Sequence, residues 1–158
     1  MNWRGVVIHC TESRDKPGVD TADITAYHKS KGWHDIGYHF VIEDIGDGPW
    51  VVAGRSMGVL GAHCRGHNAE YLGFAFVCPM NDTPSLAMTA KAAVFLAGLL
   101  DALKLPRTAV FAHRELNDTS CPDAVPMNTL RQMIVDVVRT DGGAGQRTGG
   151  LKVGGAIS

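Results

Sequence analysis

The stretch His113-Arg114-Glu115-Leu116-Asn117-Asp118-Thr119-Ser120-Cys121-Pro122 constrains this chain more than any other, because it sets an imidazole and a thiol a short loop apart directly after an apolar run. The run, Ala109-Val110-Phe111-Ala112, is short and apolar as a buried strand is, which puts His113 at a strand end and Cys121 on the loop that follows. A soft thiolate beside an imidazole suits zinc better than magnesium or calcium, which prefer oxygen donors. Two donors do not complete a site, so the fold must bring a third from elsewhere.

The third comes from the other end of the chain. Gly5-Val6-Val7-Ile8-His9-Cys10 is β-branched and apolar, and it too ends in a histidine where the sequence turns polar at Thr11-Glu12-Ser13. Neighbouring strand residues point to opposite faces, so His9 and Cys10 cannot both reach one ion. His9 matches His113 in placement, which assigns Cys10 to the core, where small cysteines are commonly buried. His9, His113 and Cys121 then form a three-donor set, and three protein ligands leave a fourth position for water, the pattern of catalytic zinc. Hydrolysis of an amide or ester follows from that chemistry, while phosphoester cleavage lacks its usual clustered carboxylates. Such a site also needs groups to handle protons and an oxyanion, and the hydroxyls of Tyr38 and Thr119 are candidates.

Between these anchors the elements alternate. Asp20 or Thr21 caps a helix to about Lys31, with Gly32 as its stop and His28 as a partly exposed helix residue. A loop through Trp33 leads to a strand in which Tyr38, Phe40 and Ile42 alternate with His39 and Val41. Gly46-Asp47-Gly48-Pro49 is a turn, and Trp50-Val51-Val52-Ala53 is the return strand of a hairpin. The segment Gly54 to Asn68 is rich in glycine and histidine without periodicity, a loop long enough to carry function. Leu72 to Cys78 reads as another buried strand ended by Pro79, Leu86 or Thr89 to Leu103 as a helix packed on a sheet, and Asn128 to Arg139 as an amphipathic last helix. The expected fold is α/β, a central mixed β-sheet flanked by helices.

Composition narrows the function classes. With 158 residues, 45% of them hydrophobic, the prior is one domain, assigned to residues 1–140, followed by a flexible glycine-rich tail over 141–158. A net charge of -1 offers no excess to attract phosphate backbones, so nucleic acid is not an expected partner. No apolar run approaches the roughly 20 residues that span a bilayer, and Met1-Asn2-Trp3-Arg4 is too short and polar to open a secretory signal. A chain made in the cytoplasm has no need of disulfides, so Cys10, Cys64, Cys78 and Cys121 are expected to be reduced.

Taken together, Val7-Ile8-His9-Cys10-Thr11, Gly32-Trp33-His34-Asp35-Ile36-Gly37-Tyr38-His39-Phe40, Ala53-Gly54-Arg55, Gly61-Ala62-His63, Asn68, and Ala112-His113-Arg114-Glu115 with Cys121-Pro122 resemble the zinc-dependent N-acetylmuramoyl-L-alanine amidases of the bacteriophage lysozyme type, whose fold is shared with the peptidoglycan recognition proteins. The pieces occur in that family's order from about Val6 to Arg139. The resemblance implies one zinc per chain on His9, His113 and Cys121, with Tyr38 beside the attacking water or the substrate carbonyl. It implies that the loop carrying His63 and Asn68 lines a groove for the glycan and stem peptide, with Trp33 either in that groove or in packing. Peptidoglycan is the implied substrate, the chain is expected to act as a monomer, and the amide between the lactyl group of N-acetylmuramic acid and L-alanine is the bond cut.

One position departs from the phage members, which carry a lysine two residues before the cysteine ligand. Here it is Thr119, as in amidase-active recognition proteins, and a threonine donates a hydrogen bond to the oxyanion without positive charge. The implied biology is a phage or prophage endolysin that waits in the host cytoplasm and acts on the wall after release. A bacterial recycling or remodelling amidase is the alternative. A non-catalytic peptidoglycan-binding module typically lacks the cysteine ligand, and a polymerase-binding regulator is a side role that nothing in the sequence marks.

Overall fold

The computed structural model describes residues 1–11, 18–78 and 82–139. The stretch 141–158 expected to form a tail, the boundary at residue 140, Pro79 and most of the polar segment after Thr11 lie outside the described residues. Five strands, β1 (Gly5–Cys10), β2 (Phe40–Asp44), β3 (Pro49–Ala53), β4 (Tyr71–Phe76) and β5 (Val110–Ala112), form one sheet in the order β3-β2-β4-β1-β5. Strand β1 runs parallel to β4 and β5 on either side, β2 is parallel to β4, and only β3 pairs antiparallel, as the second arm of the hairpin. The mixed sheet flanked by helices is therefore the observed architecture. Every residue of β1 and β4 is buried, which is why these strands read as continuous apolar runs with little alternation.

Helices α1 (Thr21–Ser30), α2 (Leu86–Ala102) and α3 (Met127–Asp136) divide between the two sides of the sheet. The larger core lies under α2 and α3, where Val6, Ile8, Leu72, Phe74 and Phe76 meet Ala92, Leu96 and Leu100 of α2 and Leu130 and Ile134 of α3. Alanines on α2 let the helix lie close, and Ser85 caps it by accepting the Met88 N–H. Cys10 belongs to this core, with its Sγ 2.7 Å from that of Cys78, and all four cysteines are reduced. On the other side α1 packs through Ile24 onto Ile36 and Val41. A capping box between Asp20 and Asp23 starts α1, and Gly32 at φ 87° follows its end, the left-handed position a glycine takes without strain. No helix among the described residues is long and apolar enough to cross a membrane.

One expected alternation fails. Phe40 and Ile42 pack on the α2 side as a pair, but Tyr38 packs with Ile24, Ile36 and Val41 on the α1 side. The strand begins at Phe40, so strand parity does not govern Tyr38. The Tyr38 carbonyl instead receives the Arg55 N–H, and the His39 carbonyl the Gly54 N–H.

Candidate metal centre

Parallel strands point their C-terminal ends the same way, and crevices beyond those ends are where open α/β sheets place ligands. His9 closes β1, and His113 follows β5 as the first residue of a short 3-10 turn (His113–Glu115). The loop between His113 and Cys121 is folded back by the Arg114 N–H on the Cys121 carbonyl (2.7 Å), and the Arg114 guanidinium holds the Pro122 carbonyl. Cys121 is thereby returned to the end of β1, where the Cys10 N–H donates to its Sγ at 3.4 Å. The donor atoms of His9, His113 and Cys121 all lie within 4.8 Å of one another. Zinc bonds of about 2.0–2.3 Å place tetrahedral donors roughly 3.5 Å apart. His9 Nδ1 and Cys121 Sγ stand at 3.9 Å, so this pair needs to close by only a few tenths of an ångström, and the set fits one ion.

The electrostatics suit ligation, which requires neutral imidazoles. Burial holds His9 well below the usual histidine range, with His63 and His113 adding to the effect, and burial also lowers His113 against the opposing hydrogen bond to Asn117. Burial pushes His63 down to about 3, helped by His39 and opposed by the Tyr71 carbonyl. The lowered values favour the neutral rings, whose lone pairs ligation needs.

A cleft of about 640 Å³ opens over the three donors. Thr11, Tyr38, His63 and Thr119 line it near the donors, and Asp23, Tyr27 and His28 of α1 form a wall with Trp33. The Tyr38 ring lies 5.2 Å from that of His9. Thr119 Oγ1 accepts the Cys121 N–H at 3.2 Å, which leaves its own proton to donate elsewhere. Trp33 is 40% exposed and its ring lies 4.6 Å from that of His28, so it forms the cleft's edge while packing on α1. Thus Tyr38, Thr119, Trp33 and His63 are brought to the donors' cleft.

Asn68 is not among the cleft-lining residues: its Oδ1 accepts the N–H groups of His63 and Cys64, each at 2.9 Å, so its carboxamide faces its own loop. His63 also differs from a simple groove residue, since one ring nitrogen meets His9 and the other the Tyr71 carbonyl. Sequence reading missed His28, whose Nδ1 accepts the Gly37 N–H at 3.1 Å and whose ring lies 5.6 Å from that of Tyr38. Its spacing of four from buried Ile24 was the available signal. Asn117 was missed as well, though it touches His113 directly.

Comparison with known proteins agrees with this geometry. The sequence profile of the family described as N-acetylmuramoyl-L-alanine amidase matches residues 1–124. The endolysin of Escherichia phage T7 is 31% identical over 125 residues, covering 74% of this chain and 78% of that protein. Among solved structures, the N-acetylmuramoyl-L-alanine amidase LysC of Clostridium intestinale shares the fold with a TM-score of 0.73 at 24% identity, over 85% of this chain and 86% of the other. Drosophila peptidoglycan recognition protein SA aligns with a TM-score of 0.66 at 29% identity, over 80% and 77%. The T7 likeness runs through most of both sequences, the fold is that of solved amidases and recognition proteins, and the chain belongs to the N-acetylmuramoyl-L-alanine amidase family.

Proposed function

We propose that this amidase cuts the bond between the lactyl group of N-acetylmuramic acid and L-alanine in peptidoglycan, with one zinc ion per chain on His9, His113 and Cys121. The observation that carries this reading is the meeting of two imidazoles and a buried sulfur at the floor of an open cleft. Zinc bound there would supply a Lewis acid for the scissile carbonyl and would bring the pKa of water to about 7. Thr119 turns its hydroxyl proton to the oxyanion, its oxygen being fixed by the Cys121 N–H. Tyr38, held between His9 and His28, orients the attacking water or relays its proton. Trp33 and Tyr27, the latter 60% exposed, offer broad amphipathic rings along which glycan and stem peptide can lie. His63 lines the groove next to the donors, and Asn68 acts from behind it by holding the loop. Four phage endolysins among the relatives support an endolysin over a bacterial recycling enzyme, and such an enzyme would work as a monomer on the wall after release from the host cytoplasm.

Metal analysis combined with digestion of purified peptidoglycan tests this. Wild type should hold about one zinc per chain and release peptides with free N-terminal L-alanine, and Cys121→Ala should lose both properties. A metal-free wild type, or an equally active Cys121→Ala, would sink the mechanism. Thr119→Lys should keep its zinc while its rate or pH profile changes; loss of metal in that variant would show that Thr119 serves the loop and not the reaction.

A further inference from the structure

The hydrogen bonds behind the two histidine donors form two directed chains. The Tyr71 carbonyl can only accept, so the His63 nitrogen 3.2 Å from it, Nε2, carries the proton of the neutral ring. Nδ1 of His63 is then an acceptor, and His9 Nε2, 3.0 Å away, must donate to it. That leaves the lone pair of His9 on Nδ1, the atom facing Cys121. The second chain is fixed by another carbonyl. Asn117 Nδ2 lies 3.2 Å from the Arg65 oxygen and must be the donor there, which turns Oδ1 toward the Cys64 thiol at 3.1 Å and His113 Nε2 at 3.0 Å. His113 Nε2 therefore carries its proton, and its lone pair is also on Nδ1.

Both chains end on one loop, the segment from His63 to Tyr71. Asn68 shapes its start, and Gly61 and Gly73 make the room that His63 occupies. A Cβ at Gly73 would stand 2.6 Å from His63 Cγ and Cδ2, and one at Gly61 would stand 2.5 Å from Cδ2. The ring is thus gripped between two backbone surfaces with both nitrogens engaged. We propose that His63 and Asn117 are positioning residues that lock the two donor histidines in the Nε2–H tautomer, so that this loop, read from sequence as part of the substrate groove, presets the metal site. The proposal deepens the zinc reading above and rests on it. Outer hydrogen-bond partners of this kind commonly account for ten- to a hundredfold in metal affinity.

The test has two arms. In metal-free wild type, long-range proton–nitrogen NMR correlations should find the ring protons of His9, His63 and His113 on Nε2. A proton on Nδ1 of His9 or His113 would overturn the proposal without any variant having to fold. In the second arm zinc affinity is measured by chelator competition. His63→Leu and Asn117→Leu should each bind zinc roughly ten- to a hundredfold more weakly. His63→Asn, which keeps an acceptor oxygen facing His9 Nε2, should recover most of that loss, a rescue that a merely structural role would not give. Folded leucine variants with wild-type affinity would overturn this proposal alone, whereas a wild type that binds no zinc would overturn the metal reading beneath it.

Discussion

The two faces of the central sheet are made by the same strands and solve different problems. Toward α2 and α3, Val6, Ile8, Leu72, Phe74 and Phe76 interdigitate with apolar helix residues, and nothing there is asked to hold a particular protonation state. Toward the cleft, the alternate positions of β1 and β4 are Val7, His9, Tyr71 and Gly73, and beside them stand His39 and His63, whose ring nitrogens are all directed. The first face holds the sheet together by area removed from water, and the second holds geometry by hydrogen bonds and by a glycine that makes room. Strand alternation lets one chain segment serve both, which is why His9 can be a donor while its neighbours Ile8 and Cys10 are core.

The largest effect should come from the helix-backed face. Phe74 is fully buried against Phe76 and Phe95, and Phe74→Ala removes a ring from a close-packed layer. Such truncations cost about 3–5 kcal/mol, so denaturant unfolding should show a loss of this size. Where the variant remains folded, its zinc affinity should change little. A large drop in affinity at small cost in stability would erase the division between the faces. One residue earlier the expected pattern reverses. Gly73→Ala suits a strand at least as well as glycine, but its Cβ collides with the His63 ring. Zinc affinity should fall by about tenfold or more, with a smaller change in unfolding free energy than Phe74→Ala causes. Titration with a chelator and denaturant melts of both variants decide the matter, and Gly73→Ala with unaltered zinc binding would count against a gripped His63.

That contrast also marks what could be read from sequence. The helix-backed face was legible because apolar runs, turn residues and the alanine-rich helix state their periodicity locally; β1, the hairpin and α2 fell where their composition put them. Two strand-end histidines and a loop cysteine were legible for a related reason, since strand ends at one edge of a parallel sheet are neighbours in space. The loop from Gly54 to Asn68 was legible as a loop, but the directions of its side chains were not. It has no period, and the direction of His63 depends on carbonyls and glycines from β4 and from the loop itself, partners that no spacing rule couples. Asn68 and Asn117 are alike on the page, yet one shapes a loop and the other holds a donor, because only the folded chain determines which atoms an amide meets. Tyr38 was assigned its face by strand parity, which does not extend outside the strand.

The smallest expected effect separates the faces by pH. His39 is completely buried, its Nδ1 accepting the Gly73 N–H and its Nε2 meeting the Val59 carbonyl, with the His63 ring opposite. Burial lowers its pKa, the Val59 carbonyl partly restores it, and the charge of Arg55 lowers it further. The unfolded chain then binds a proton that the folded chain refuses. This contribution to stability is complete above the unfolded value of about 6.5 and is lost as the pH falls through the depressed folded value. On the helix-backed face the buried titratable groups are thiols: hydrogen bonding to Cys10, and then burial, raise Cys78, which leaves it protonated throughout acid conditions. Thermal melts of the metal-free protein across this acid range should therefore show His39→Asn, which keeps an acceptor for Gly73, with a flatter decline than wild type. The decline should not vanish, because other buried histidines share it. Phe74→Ala should lower the whole curve without changing its slope, and a slope altered by Phe74→Ala but untouched by His39→Asn would mean that acid sensitivity does not belong to the cleft face.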